Sequence, residues 1–153
     1  MSIQRIGVIG AGQMGTGIAH VLALAGYDVV LDDLNKDALG KALERIEKNM
    51  QRQAAKNLIK EDEIAPALKR IRVTETLDDL KDRDLVIEAA TEDEAIKKKI
   101  FQDLCKRISP NAMIATNTSS ISVTRLAAST DRPEHFIGLH FMNPVPVMQL
   151  VEL

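Results

Sequence analysis

One turn constrains this chain more than any other feature. Gly10-Ala11-Gly12-Gln13-Met14-Gly15 stands between an apolar run, IQRIGVIG (3–10), and a stretch in which Met14, Ile18, Val21, Leu22 and Ala25 recur at helical spacing. The pattern G-x-G-x-x-G is common by chance. A strand before it, a helix after it and two acids closing the next apolar run, DVVLDD (28–33), make it specific. Gly10 permits the tight turn. Gly12, lacking a Cβ, lets a pyrophosphate approach the backbone, and Gly15 lets the helix pack close to the strand. Gln13 and Met14 would meet the phosphates through their backbone at the positive end of the helix. A tight strand-to-helix turn without a ligand is the plainer alternative.

The two acids refine this reading. A carboxylate ending the second strand accepts the hydroxyls of a ribose and repels a 2′-phosphate. Side chains alternate along a strand, so one of the two faces the ribose. Asp33, nearer the carboxyl end, is assigned that role, and Asp32 is read as a solvated acid. No arginine neighbours them in sequence, which favours NAD(H) over NADP(H).

The rest of the chain alternates. A long helix follows the second strand, with Leu39, Leu43, Ile46, Met50 and Ala54 on one face, and a shorter helix covers EDEIAPALKRI. Further strands are expected at 71–74, 84–90, 111–116, 135–140 and 147–153, with a helix at 93–108. Such alternation predicts an α/β fold: a Rossmann-like, doubly wound, mostly parallel sheet with helices on both faces and a long helical insertion after the second strand. The 153 residues suit one domain, and a net charge of −2 with four aromatics argues against nucleic acid or an anionic membrane. No run is long and apolar enough to span a bilayer, and the N-terminus enters a strand too early for a leader peptide. The single cysteine, Cys105, reads as a core residue, and a cytoplasmic setting is expected.

Three histidines offer a proton carrier. His20 falls inside the first helix, with a surface or packing role. His135 is expected to face solvent where a strand opens. His140 ends an apolar strand, where open α/β sheets bind ligands. Asn143 follows it as a polar handle, and Pro144 and Pro146 stiffen the turn. Glu152 stands alone in QLVEL, and a carboxylate in an apolar strand needs a partner. Folded back by the stiff turn, it would fix the tautomer of His140, whose other nitrogen could take a proton from an alcohol. An edge acid in water is the alternative. TNTSS (116–120) could hold a ribose or a substrate oxygen, or be a hydroxyl-rich turn before a helix capped by Ser122. In EAATED (88–93), small Ala89 and Ala90 leave room for a cofactor, and Glu92 is either a cofactor contact or a first-turn acid. Lys97 to Lys99 read as a solvated helix face. No histidine or cysteine spacing suggests a metal site.

Four segments carry a resemblance: GVIGAGQMGTGIAHVLALAGYDVVLDD, DLVIEAATED, TNTSSISVTRLA and GLHFMNPVPVMQLVEL. Together they resemble the L-3-hydroxyacyl-CoA dehydrogenase family, the bacterial 3-hydroxybutyryl-CoA dehydrogenases in particular, over the whole chain. The resemblance implies that His140 and Glu152 form the catalytic pair and that Ser119 binds the substrate 3-oxygen near the nicotinamide. It implies that Asp33 binds the adenosine ribose and that Glu92, Lys97 and Asn143 lie in the cofactor region. It places CoA contacts on the long helix, with a lysine at Lys56 and Asn49 where the family has serine.

Members of that family continue into a helical domain that forms a homodimer and contributes to the substrate site. Residues 1–153 are therefore expected to be the NAD-binding domain. The activity expected is NAD-dependent oxidation of a 3-hydroxyacyl-CoA. Two alternatives stand beside it: an NAD(H)-binding module or structural protein without catalysis, and a dehydrogenase of another hydroxy acid.

Overall fold

The computed structural model describes residues 2–153. Six parallel strands form the main sheet: β1 Arg5–Ile9, β2 Asp28–Asp32, β3 Ile71–Thr74, β4 Leu85–Glu88, β5 Met113–Thr116 and β6 Phe136–Gly138. Their order is β3-β2-β1-β4-β5-β6. The chain therefore builds outward from β1 through β2 and β3, then returns to the middle and builds the other way from β4. The reversal opens a crevice past the carboxyl ends of β1 and β4, where sheets of this kind bind ligands.

Both faces are covered, as alternation along buried strands requires. Val29 and Leu31 of β2 join one core with α1 (Gln13–Leu24) and α2 (Lys36–Ala55), whereas Val30 joins the other with α4 (Glu94–Cys105) and α5 (Val123–Ala128). Leu85 and Ile87 of β4 likewise oppose Val86. The helical insertion between β2 and β3 consists of α2, a 3-10 turn at Glu61–Glu63 and α3 (Ile64–Lys69). Asn35 starts α2 by accepting from the backbone N–H groups of Asp37 and Ala38. Gly26, at φ +100°, stops α1.

The end of the chain departs from the simple alternation. The segment 135–140 is not one strand. β6 stops at Gly138, and the N–H of Leu139 makes a last ladder bond to the Thr116 carbonyl. His140–Phe141 then forms β7, which pairs antiparallel with β8, Val151–Glu152, in a separate two-stranded ribbon. Of the strand expected at 147–153, only those last two residues pair. His135 closes a 3-10 turn instead of opening a strand. It is half-buried, and its Nδ1 is enclosed without a partner, so it does not face solvent as expected.

Candidate active site

The glycine turn sits at the mouth of the crevice. Gly10 has φ +106°, and a Cβ there would come within 2.7 Å of the Ala89 carbonyl oxygen and of the Ala90 Cα. A Cβ on Gly15 would lie 1.6 Å from the Gly10 carbonyl oxygen. Both glycines are thus demanded by packing between β1, β4 and α1. Gly12 differs: a Cβ there meets nothing within 4 Å. Packing does not explain it, and the open space leaves room for a ligand to approach the backbone. Gly12 also precedes α1 with no side-chain cap, so the first N–H groups, at Gln13 and Met14, are free to face an anion.

Next to this turn lies a cavity of about 520 Å³. Gly10, Asp33 and Ala90 line it, and Leu34, Leu77, Ile96 and Ile100 supply apolar walls. Asp33 lies just past β2. Its Oδ2 accepts the N–H of Ala11 at 2.8 Å and its Oδ1 that of Asn35 at 2.8 Å, so the carboxylate is locked against the glycine turn. An arginine does line the cavity: Arg107, from beyond α4. Its guanidinium is held by Asp78 and, at 3.2 Å, by Asp103, so it offers no free charge to a 2′-phosphate.

Asp32 overturns its expectation. It is 4% exposed, lines the same cavity, and its Oδ1 is enclosed without a partner. Burial first, then the nearby carboxylates of Asp33 and Asp79, push its acid up to about 7. Its position as the last β2 residue, paired between β1 and β3, turns it inward.

Lys97 overturns its expectation too. It points into the protein from α4, 1% exposed, and pairs with Glu88 Oε1 at 2.5 Å. Thr116 Oγ1 donates to the same oxygen at 2.9 Å, and Glu88 Oε2 accepts the N–H of Ala90 at 2.8 Å. The buried pair thereby holds the Ala89-Ala90 turn over the crevice. A clue was present in the sequence, since Glu88 is as isolated in its apolar run as Glu152 is in its own.

Around TNTSS nearly every polar group is engaged. Glu92, in the loop before α4, accepts Thr118 Oγ1 at 2.8 Å and Ser120 Oγ at 3.0 Å. Asn117 Oδ1 accepts the N–H of Phe141 at 2.8 Å. Ser122 caps α5 through the N–H of Arg125. Ser119 is exposed and makes no hydrogen bond among the described residues, which leaves its hydroxyl to a ligand.

His140 and Glu152 are directly paired across the ribbon, with Nδ1 and Oε2 3.4 Å apart. That contact is long for a hydrogen bond. Asn143 Oδ1 accepts Gln13 Nε2 at 3.1 Å, tying the turn after His140 to the start of α1. His20 is a packing residue: its Nε2 meets Gln53 Oε1 at 2.8 Å, and burial lowers its pKa. Asn49 shares a separate cavity with Gln13, His20, Arg45 and Asn143, on the ribbon side of α1 and α2. Lys56 is exposed at the C-cap of α2 and borders neither cavity. Among the described residues no group of three potential ligands gathers for a metal.

Residues 5–153 match the family described as 3-hydroxyacyl-CoA dehydrogenase, NAD binding domain. A curated 3-hydroxybutyryl-CoA dehydrogenase of Bradyrhizobium diazoefficiens is 59% identical over 151 residues, covering 99% of this chain and 52% of that protein. The crystal structure of (S)-3-hydroxybutyryl-CoA dehydrogenase PaaH1 from Ralstonia eutropha superposes with a TM-score of 0.95 at 46% identity, over 98% of this chain and 53% of that one. The crystal structure of M. tuberculosis FadB2 gives 0.96 at 46% identity, over 100% and 54%. The chain thus spans about half the length of the relatives it matches.

Proposed function

The chain belongs to the 3-hydroxyacyl-CoA dehydrogenase family through its NAD-binding domain, and from that premise we propose that it takes part in oxidising (S)-3-hydroxyacyl-CoA, 3-hydroxybutyryl-CoA foremost, to the 3-oxoacyl-CoA. NAD held at this turn would supply the acceptor for the hydride leaving C3. Gly10, Gly12 and Gly15 shape the pyrophosphate seat, the backbone N–H groups of Gln13 and Met14 meet the phosphates, and Asp33 meets the ribose. The fit rests on the open space at Gly12 and the cavity beside Asp33. Ala90, Glu92, Lys97 and Asn143 support or border the cofactor, Lys97 through Glu88.

His140 takes the hydroxyl proton on the nitrogen that Glu152 leaves free, and returns it in the reverse direction. Glu152 fixes the ring and balances its charge. Ser119 donates to the substrate oxygen as charge develops there. Asn49 and Lys56 are assigned to the CoA moiety. The carrying observation is the His140–Glu152 pair on a ribbon tied to the TNTSS loop and the glycine turn.

The half-length match supports a second domain in the natural protein, to which we assign completion of the substrate cleft and the homodimer contact. The exposed apolar side chains of Val147, Leu150 and Leu153 are where such a domain would pack. The substrate class suits fatty-acid and butanoate metabolism, and a cytoplasmic setting is part of this proposal. No described helix is long and apolar enough to cross a membrane. The same half-length match favours a second reading, in which this chain alone binds NAD(H) without turnover.

The test mixes the chain with NADH and acetoacetyl-CoA and follows NADH absorbance, beside a His140→Gln variant and a longer form of the protein. Turnover that His140→Gln abolishes supports the proposal. Turnover in the longer form alone supports it as well, and NADH binding with no turnover in either form favours the second reading. Faster NADH oxidation with a free oxo acid in place of acetoacetyl-CoA sinks both.

A further inference from the structure

We propose that Asn117 is the positioning residue that sets the His140 ring against the nicotinamide end of the crevice. The inference rests on the reading of His140 as the proton carrier. The ribbon bearing His140 is not part of the main sheet, so something must fix where it stands. The parallel ladder between β5 and β6 ends where the N–H of Leu139 meets the Thr116 carbonyl at 2.9 Å. The next bond outward, from the N–H of Phe141, goes to the side chain of Asn117 at 2.8 Å, in place of a backbone carbonyl. Asn117 thus extends the ladder by one rung with a side-chain oxygen.

Its own backbone is anchored on the other side. The N–H of Asn117 donates to the Glu88 carbonyl at 2.9 Å, at the end of β4. One buried residue therefore spans from β4, at the reversal of the sheet, to the strand carrying His140. It also stands two positions before Ser119, whose neighbours Thr118 and Ser120 are pinned by Glu92. The proton carrier and the oxygen ligand are consequently referred to a common frame. Asn117 touches neither substrate nor cofactor in this account. It acts through the backbone of Phe141.

Among functional groups arranged for reaction, a shift of about 1 Å costs on the order of a hundredfold in rate. A side-chain acceptor is a single bond that substitution can remove while the sheet ladders stay intact. Asn117→Ala removes the oxygen. Asn117→Asp keeps it.

The experiment follows the His140 ring by NMR in the histidine-labelled chain as NADH is added. The signal is assigned by its loss in His140→Gln. The wild type is expected to show an NADH-dependent shift at His140. Asn117→Ala is expected to bind NADH within about twofold of wild type while that shift collapses, and Asn117→Asp is expected to keep it. In a turnover-competent form, kcat falls on the order of a hundredfold in Asn117→Ala with the KM for NADH unchanged. If Asn117→Ala does not fold, Asn117→Ser, which shortens the acceptor, replaces it in the same comparison. A wild-type response at His140 in the variant that lacks the acceptor overturns this proposal alone. A wild-type chain that binds NADH with no response at His140 overturns the proton-carrier reading as well.

Discussion

His140 and Glu152 face each other as a directly opposed pair in a two-residue antiparallel ladder, with Nδ1 3.4 Å from Oε2. Opposed residues on such a ladder share a face, so the contact follows from the backbone pairing and needs no special rotamer. The pair is open to solvent, Glu152 more than His140, and contributes little to stability.

Substituting the pair should therefore separate catalysis from folding. His140→Gln is expected to lower kcat by about 10²–10⁴-fold and Glu152→Gln by less, since the glutamate acts through the ring. Thermal unfolding of both should match wild type. A Glu152→Gln variant with unchanged turnover would remove the glutamate from the mechanism.

The glycines should divide in the same way. Gly15→Ala places a methyl 1.6 Å from the Gly10 carbonyl oxygen, and the expected outcome is a loss of about 3 kcal/mol or more of stability. Gly12→Ala meets no protein atom, so its unfolding should be unchanged while NADH affinity falls roughly tenfold, about 1.4 kcal/mol. Denaturation curves and NADH titration check both. Unchanged NADH binding in Gly12→Ala would argue against a phosphate at that turn.

Asp32 predicts a pH dependence. Its acid titrates near 3.8 when unfolded and at about 7 when folded. Below 3.8 both states hold the proton and nothing is lost. Between those values the unfolded chain has released the proton and the folded one has not, so stability falls as pH rises, and levels off above about 7. Asp32→Asn should be more stable than wild type at pH 8, by up to a few kcal/mol, with the gain shrinking toward pH 4. Urea midpoints that stay parallel across this range would contradict the burial of a reluctant charge.

Lys97→Met should be costly, because it leaves the Glu88 carboxylate buried without its cation. About 3–5 kcal/mol is expected, and Lys97→Met/Glu88→Gln should recover most of it. NADH binding by the double variant at wild-type strength would assign Lys97 to supporting the Ala90 turn. Weak binding despite recovered stability would assign it a direct part.

Local pattern made much of this protein readable. The glycine turn with its flanking strand and helix, Asp33 past β2, the long insertion and the alternation that makes a parallel sheet all depend on residues close in sequence. Periodicity and backbone freedom act over that range. The pairing of Glu152 with His140 was also within reach, since a lone acid in an apolar run asks for a partner and a proline-rich turn brings one back.

Other features depended on residues far apart. Lys97 reads as one of three solvated lysines, and the isolated Glu88 is the one clue against it; only the packing of α4 on β4 brings the two together. Asp32 reads as a solvated acid until β1 and β3 close on either side of it. The break after Gly138 and the rung supplied by Asn117 appear only once the residue following β5 meets the backbone of β7. Amino-acid order by itself settled the parallel α/β class, the turn and the chemical groups on offer. Tertiary structure alone decided which charges lost their water and where the ribbon stands, because burial and long-range hydrogen bonds exist only after distant segments have packed together.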